Sequence, residues 1–237
     1  MTRKSLEKMQ YCLMKCSVME ISFIKSDAGR SDKIMKVLIL GGFLGSGKTT
    51  LLLQMARYLV DSSGSGSAYK VVILENEVGR EGIDDKLLRG NGFNVENLFN
   101  GCACCTLAGE LVSAAYEIEK EYAPDWLIVE TTDLAYPGLI QDNLAAGIGM
   151  ESRVCTVVDV SRWKRLLHAM RELLLGQTER ADVVLMNKAD LVTEDILREV
   201  EMDIEEMNPA AARIATTAVG HVDEHVWDVV LGVMDHG

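Results

Sequence analysis

The sequence predicts an α/β fold, a P-loop-type architecture with a doubly wound, mostly parallel sheet and helices on both faces. Short β-branched runs that are apolar throughout, rather than alternating, indicate strands covered on both sides: VLIL at 37–40, VVIL at 71–74 and WLIVE at 126–130. Helical patterns separate those runs. The first strand also leads straight into a glycine-rich turn, GGFLGSGKTT at 41–50, that opens a helix.

Taken in order, the elements are a strand at 37–40, a helix at 48–60, a strand at 71–74 and a helix at 107–120. A strand at 126–130, a helix near Leu139, a strand at 154–159 and a helix at 163–175 follow. The chain then reads as a strand at 182–187, a helix at 194–207, a short strand at 213–215 and a last helix at 224–234. Loops fall at SSGSGS (62–67), a linker-like turn, and between Gly79 and Asn100. No internal repeat interrupts this order.

The domain runs from 35 to 237, with no separate C-terminal domain expected. Residues 1–34 carry seven Lys and Arg and look appended. Leu6, Met9, Leu13 and Met14 lie near helical spacing, with Cys12 and Cys16 one turn apart, which fits a short amphipathic helix. The alternative is a chain whose translation starts at Met35, directly before the first strand.

The 237 residues carry 24 basic and 36 acidic side chains, a net charge of −12. That disfavours nucleic acid, whose phosphates need a basic surface. Apolar residues make up 48% and charged ones 25%, a globular balance that excludes disorder as the main state. No stretch approaches the roughly 20 apolar residues of a membrane span, and no signal-type apolar region opens the chain. A cytoplasmic protein without membrane association is the expectation. Three of the six cysteines crowd into 102–105, where bridging geometry is poor, so metal ligation or thiol chemistry accounts for them better than disulfides.

Gly42, Gly47, Lys48 and Thr49 fit G-x-x-x-x-G-K-[ST], with Gly45 and Ser46 inside the loop and Thr50 after it. Glycines let successive N–H groups converge on phosphates, and the helix N-terminus adds partial positive charge. Lys48 would reach the β- and γ-phosphates, and the Thr49 hydroxyl would ligate Mg²⁺. A plain glycine-rich turn is the alternative.

After the strand at 182–187 comes Asn187-Lys188-Ala189-Asp190, an N-K-x-D. Asp190 can accept two N–H donors from guanine, Asn187 can read the ring edge, and the Lys188 stem can pack against it. Alternatively, Asp190 caps the helix that begins near Thr193. Glu130 ends WLIVE, and Glu77 follows VVIL within Glu75-Asn76-Glu77. Ligands of open α/β sheets bind beyond the carboxyl ends of the strands, so both acids are candidates for Mg²⁺ or for the attacking water. Each has a solvated-loop alternative, and Asp159, also at a strand end, has a cap alternative.

Cys102, Cys104 and Cys105 precede a helix in NGCACCTL. A helix N-terminus favours the thiolate, and three soft ligands leave a tetrahedral site open for exchange. Buried apolar packing is the alternative and suits Cys155. His221, Asp223 and His225 have usable spacing for a metal, as do Cys12 and Cys16, yet both histidines read more simply as a solvated helix face.

Together, GGFLGSGKTT, NEVGREGID, NGCACC, VETTD, VVDV and NKADL occur in an order that resembles the CobW/HypB/UreG family of P-loop GTPases, most of all its CobW-like branch, over residues 36–215. The resemblance implies a GTP-dependent metallochaperone. It assigns phosphate binding to 42–50, Mg²⁺ contacts to Thr49 with Glu77 or Glu130, guanine to Asn187, Lys188 and Asp190, and a transition metal, Zn²⁺ or Co²⁺, to Cys102, Cys104 and Cys105. It also implies a metal-receiving client or cobalamin-related enzyme as partner, and a homodimer. The loop from Glu77 to Cys105 would carry the switch between nucleotide and metal states. One departure stands out: where the family has E-T-T-G, this chain has Glu130-Thr131-Thr132-Asp133, which adds a charge near the γ-phosphate and would slow hydrolysis or alter Mg²⁺ binding.

The reading is therefore a slow GTPase, with Lys48, Glu77 and Glu130 as catalytic candidates, that couples GTP to metal delivery. A non-catalytic, nucleotide-dependent metal sensor or scaffold is the rival, and a thiol redox module is a third option.

Overall fold

The computed structural model describes residues 20–24, 34–61, 69–75 and 107–233. Its elements are β1 (Glu20–Ile24), β2 (Lys36–Gly41), α1 (Lys48–Asp61), β3 (Val71–Glu75), α2 (Leu107–Tyr122), β4 (Trp126–Glu130) and α3 (Pro137–Ile148). Then come β5 (Ser152–Asp159), α4 (Trp163–Thr178), β6 (Val183–Asn187), α5 (Glu194–Met207), β7 (Ala212–Ala215) and α6 (Glu224–Leu231). The seven strands form one sheet in the order β1-β3-β4-β2-β5-β6-β7. All pairings are parallel except β1 with β3.

Burial on both faces explains why the strands carry no polar alternation. Val37 and Ile39 of β2 join Leu127 and Val129 of β4 in one core, closed by residues of α2 to α5 such as Leu111, Leu144, Trp163 and Val200. The intervening Leu38 and Leu40 point the other way, into a core with Leu52, Met55 and Leu59 of α1 and Trp227 of α6. The register Leu38↔Ile128 keeps like faces together across the pair.

Strand order positions the site. The connection after β2 passes over β4 to reach β3, whereas β5 lies on the other flank of β2. The crevice beyond the carboxyl end of β2 is thus the point where the winding reverses, the place where open α/β sheets bind ligands.

One expected boundary shifts, and one strand adds to those that the sequence pattern marks. The last helix does not reach residue 234: Gly232 takes a left-handed φ of 63° and turns its N–H back to Asp228 and Val229, which stops α6 at Leu231. The strand Glu20–Ile24 lies inside the segment that the sequence presents as an appendage, and its edge pairing with β3 was not anticipated. The expected helix around Leu6 to Cys16 and the 62–67 turn lie outside the described residues. Among the described residues, no helix is long and apolar enough to cross a membrane.

Leu38 is fully buried. Leu38→Ala is expected to lower stability by about 2–5 kcal/mol in urea unfolding with an unchanged m value. A loss below about 1 kcal/mol would contradict burial of the sheet face that packs on α1 and α6.

Candidate active site at the switch point

The turn from β2 into α1 is built by contacts that only glycine tolerates. Gly42 has φ 139°, and a Cβ there would sit 2.3 Å from the Val157 carbonyl oxygen of β5. Gly47 has φ 102°, and a Cβ there would meet Asn187 Nδ2 at 2.3 Å. The glycine directly before Lys48 is therefore required by a residue of the N-K-x-D motif, 140 positions later in the chain. Beyond Gly47, Leu51 is the residue whose N–H first returns to the loop, bonding Gly47 O at 3.0 Å. The N–H groups of Lys48, Thr49 and Thr50 belong to the first helical turn, which has no carbonyl four residues earlier inside the helix to bond. Such a turn suits an anion.

Lys48 is buried, and its Nζ donates to Gly42 O at 2.8 Å and to Asp133 Oδ1 at 2.6 Å. Thr49 Oγ1 donates to Glu130 Oε1 at 3.1 Å, so the two residues expected around Mg²⁺ lie together. Ser46 Oγ is buried with no hydrogen-bond partner among the described residues. Thr50 is exposed on the first turn.

The base-motif side chains hold the loop together. Asn187 Nδ2 donates to Ser46 O at 2.7 Å, and Oδ1 accepts from Ala218 N at 2.9 Å and Thr216 Oγ1 at 3.4 Å. One buried amide thus ties the phosphate loop to the segment after β7. Lys188 has a left-handed φ of 65°, strain of about 1–3 kcal/mol of the kind stored at functional sites. Its Nζ donates to Gly45 O at 2.7 Å and to Asp159 Oδ2 at 2.6 Å. Asp190 is exposed and accepts from Thr217 Oγ1 at 3.1 Å. The cap of α5 is Thr193, which accepts from Ile196 N, so Asp190 is not the cap.

Three contributors were not singled out from the sequence. Arg162 donates to Leu44 O at 2.6 Å and to Asp159 Oδ2 at 2.7 Å, which makes Asp159 a hub rather than a simple cap. Buried Gln177 donates to the backbone oxygens of Asp133 and Ala135, at 2.8 and 3.3 Å. Gln54 of α1 donates to Ala218 O at 2.8 Å and accepts from Val222 N at 3.2 Å. Apart from Asp159, three residues before Arg162, their partners lie far away in sequence, where no local pattern marks them.

Glu77, Cys102, Cys104 and Cys105 lie outside the described residues, as do Cys12 and Cys16. Among the described residues no group of three or more His, Cys, Asp or Glu side chains is placed to hold a metal. Asp223 is the cap of α6, accepting from His225 N at 2.9 Å, and His221 and His225 are exposed. Cys155 is packed inside β5, where burial pushes its thiol up to about 12, so it is a neutral core side chain.

Burial alone would raise the Asp159 carboxyl, but hydrogen bonds from Lys188, Ser161 and Arg162 outweigh it and hold the group below its usual range. A carboxyl depressed in the folded state stabilises that state above the unfolded value, near pH 4, and the contribution is lost as pH falls through the folded value. Asp159→Asn is therefore expected to be less stable than the parent at neutral pH and to lose less further stability in acid. Parallel acid limbs in urea unfolding of the two proteins would refute this.

A family model described as CobW/HypB/UreG, nucleotide-binding domain, matches residues 36–215. Zinc-regulated GTPase metalloprotein activator 1 of Dictyostelium discoideum is 29% identical over 225 residues, covering 77% of this chain and 46% of that protein. Zinc chaperone YjiA of Escherichia coli is 29% identical over 213 residues, covering 84% of this chain and 60% of that protein. The chain thus spans about half the length of the curated relatives it matches. A crystal structure of Zn(II)-bound YjiA GTPase from E. coli superposes with a TM-score of 0.58 at 24% identity, over 86% of this chain and 64% of that one, a likeness of fold. With the phosphate loop at a sheet switch point and the family match across it, the chain belongs to the CobW/HypB/UreG family, and residues 36–215 are its nucleotide-binding domain.

Proposed function

We propose that the chain binds and slowly hydrolyses GTP and couples the nucleotide state to delivery of a transition metal to a client protein. The observation that carries the reading is the meeting of Lys48, Thr49, Glu130, Asn187 and Asp190 on one sheet edge, although they come from three separated segments. Residues 35–237 act as the GTPase domain, and 1–34 as an extension.

The residues present fit a magnesium–triphosphate. Thr49 and Glu130 supply hard oxygen donors 3.1 Å apart, and buried Ser46 Oγ has hydrogen-bonding capacity to spare at the loop. Mg²⁺, when bound, supplies charge that offsets the phosphates. Lys48 and the first-turn N–H groups hold the β- and γ-phosphates and stabilise charge on the transferring group. Glu130, or Glu77, orients the attacking water. Asp190 accepts from the guanine N–H groups, while Asn187 and Lys188 fix the loop that presents it.

Zinc is the proposed cargo, since the relatives carry names such as zinc chaperone and zinc-regulated activator. Cys102, Cys104 and Cys105 would bind it as thiolates. Co²⁺ is the other candidate, with a cobalamin-related client. A second reading, a sensor with little turnover, is favoured by Asp133, whose carboxylate neutralises Lys48. Multiple turnover in a single-enzyme assay separates the two.

Zn²⁺ and Co²⁺ titrated into reduced protein, with and without a non-hydrolysable GTP analogue, are expected to show affinities that differ several-fold between nucleotide states, a coupling of about 1–3 kcal/mol. Identical metal affinity in every nucleotide state would sink the chaperone reading. Asp190→Asn is expected to weaken GTP binding by tenfold or more, about 1.4 kcal/mol, and to improve binding of xanthosine triphosphate, whose ring carbonyl accepts the new amide N–H. Unchanged preference would remove Asp190 from base reading.

A further inference from the structure

We infer that Asp133 is a specificity-determining residue that competes with the β- and γ-phosphates for Lys48, so that the chain carries its own anion in the phosphate site. The inference rests on the guanine-nucleotide reading above and names a control within that same site.

The geometry is direct. Asp133 Oδ1 lies 2.6 Å from Lys48 Nζ, with side chains 30% and 8% exposed. Among the described residues, the other acceptors of that ammonium are the neutral carbonyl oxygens of Gly42 and Phe43. Among the described residues, the charge of the phosphate-loop lysine is therefore met by one carboxylate. Asp133 comes from the loop between β4 and α3, only three residues beyond Glu130, whose carboxylate accepts from Thr49. Lys48 and Thr49 thus both contact acids of one short segment.

The loop is anchored rather than loosely draped. Gln177 of α4 is 2% exposed, and its Nε2 donates to the backbone oxygens of Asp133 and Ala135. The Gln177 backbone oxygen in turn accepts from Thr156 Oγ1 of β5 at 2.6 Å. Ala135 N closes the turn onto Thr132 O at 3.1 Å. Such support presents the carboxylate to Lys48 from a fixed backbone, so the ion pair forms at little ordering cost.

An incoming polyphosphate must either displace Asp133 from Lys48 or share the ammonium with it. Sharing sets like charges within a few ångströms in a partly buried site, where water screens poorly. The penalty grows with phosphate charge at Lys48. It falls on the triphosphate and the diphosphate, and spares a monophosphate that does not reach this lysine. When the phosphates leave, Asp133 returns to Lys48 and neutralises it without a new ligand.

The test measures dissociation constants for a non-hydrolysable GTP analogue, GDP and GMP, each with Mg²⁺, in the parent chain, Asp133→Asn and Asp133→Gly, with thermal melts as the check on folding. Both variants are expected to bind the GTP analogue at least about tenfold more tightly, and GDP more tightly as well, with GMP within about twofold of the parent. Unchanged or weaker binding of the GTP analogue in both variants would overturn the inference, because Asp133 would then be neutral or helpful toward the triphosphate. Equal tightening for GMP would overturn it too, since the effect would not follow the phosphates at Lys48. If one variant fails to fold, the other decides. Failure of the parent and both variants to bind any guanine nucleotide would remove the functional reading itself, whereas equal, measurable affinities in all three would remove only the role of Asp133.

Discussion

Parallel pairing of β2 with both β4 and β5 fixes the depth at which every functional side chain emerges. Leu40 stands opposite Glu130 on one side and Cys155 on the other, so Gly41, Glu130 and the end of β5 come out at one edge. The same pairing continues outward to set Asp159 beside Asn187. Because both sheet faces are buried, a strand cannot slip by one residue without turning an entire apolar face onto the wrong core. The register of the core is thereby the register of the site.

At that edge, an acidic protein manages its few cations by pairing them inside the fold. Lys48 faces Asp133, and Lys188 and Arg162 converge on Asp159, whose side chain is 1% exposed. A buried carboxylate with several donors is tolerable, whereas one stripped of its partners is costly. The Asp159 cluster does more than neutralise itself. Through Arg162 it reaches Leu44 O, and through Lys188 it reaches Gly45 O, so the rim of the phosphate loop is strapped to β5 and β6. Rigidity of a glycine-rich segment thus comes from outside the segment.

Much of this was legible in the residues. Runs such as VLIL and VVIL are strands because nothing in them tolerates water on either face, and the glycines, Lys48 and Thr49 fall where a strand–loop–helix needs them. The proximity of Glu130 to Thr49 follows from a general rule about strand ends. What escaped notice depends on long-range partners. Arg162 meets a carbonyl 118 positions away with no local signature, and the departure at Asp133 marks a charge near the γ-phosphate but not its partner Lys48, 85 positions away. Asn187 showed as a candidate base reader, but its grip on Ser46 O and Ala218 N depends on how β6 and β7 are placed in the sheet. The end of α6 was misjudged because its apolar pattern runs past Gly232, and backbone conformation, not pattern, ended the helix.

The antiparallel strand Glu20–Ile24 lies along β3 at the border of the sheet, in register from Glu20↔Glu75 to Ile24↔Val71. Without it, the five residues of β3, four of them fully buried and apolar, would offer a bare row of N–H and C=O groups to any neighbouring chain. The opposite border is guarded differently, by the four-residue β7, too short to template much pairing. A chain begun at Met35 would keep the whole phosphate loop and still lose this guard, exposing a sticky edge of the kind that seeds association between unfolded or crowded copies.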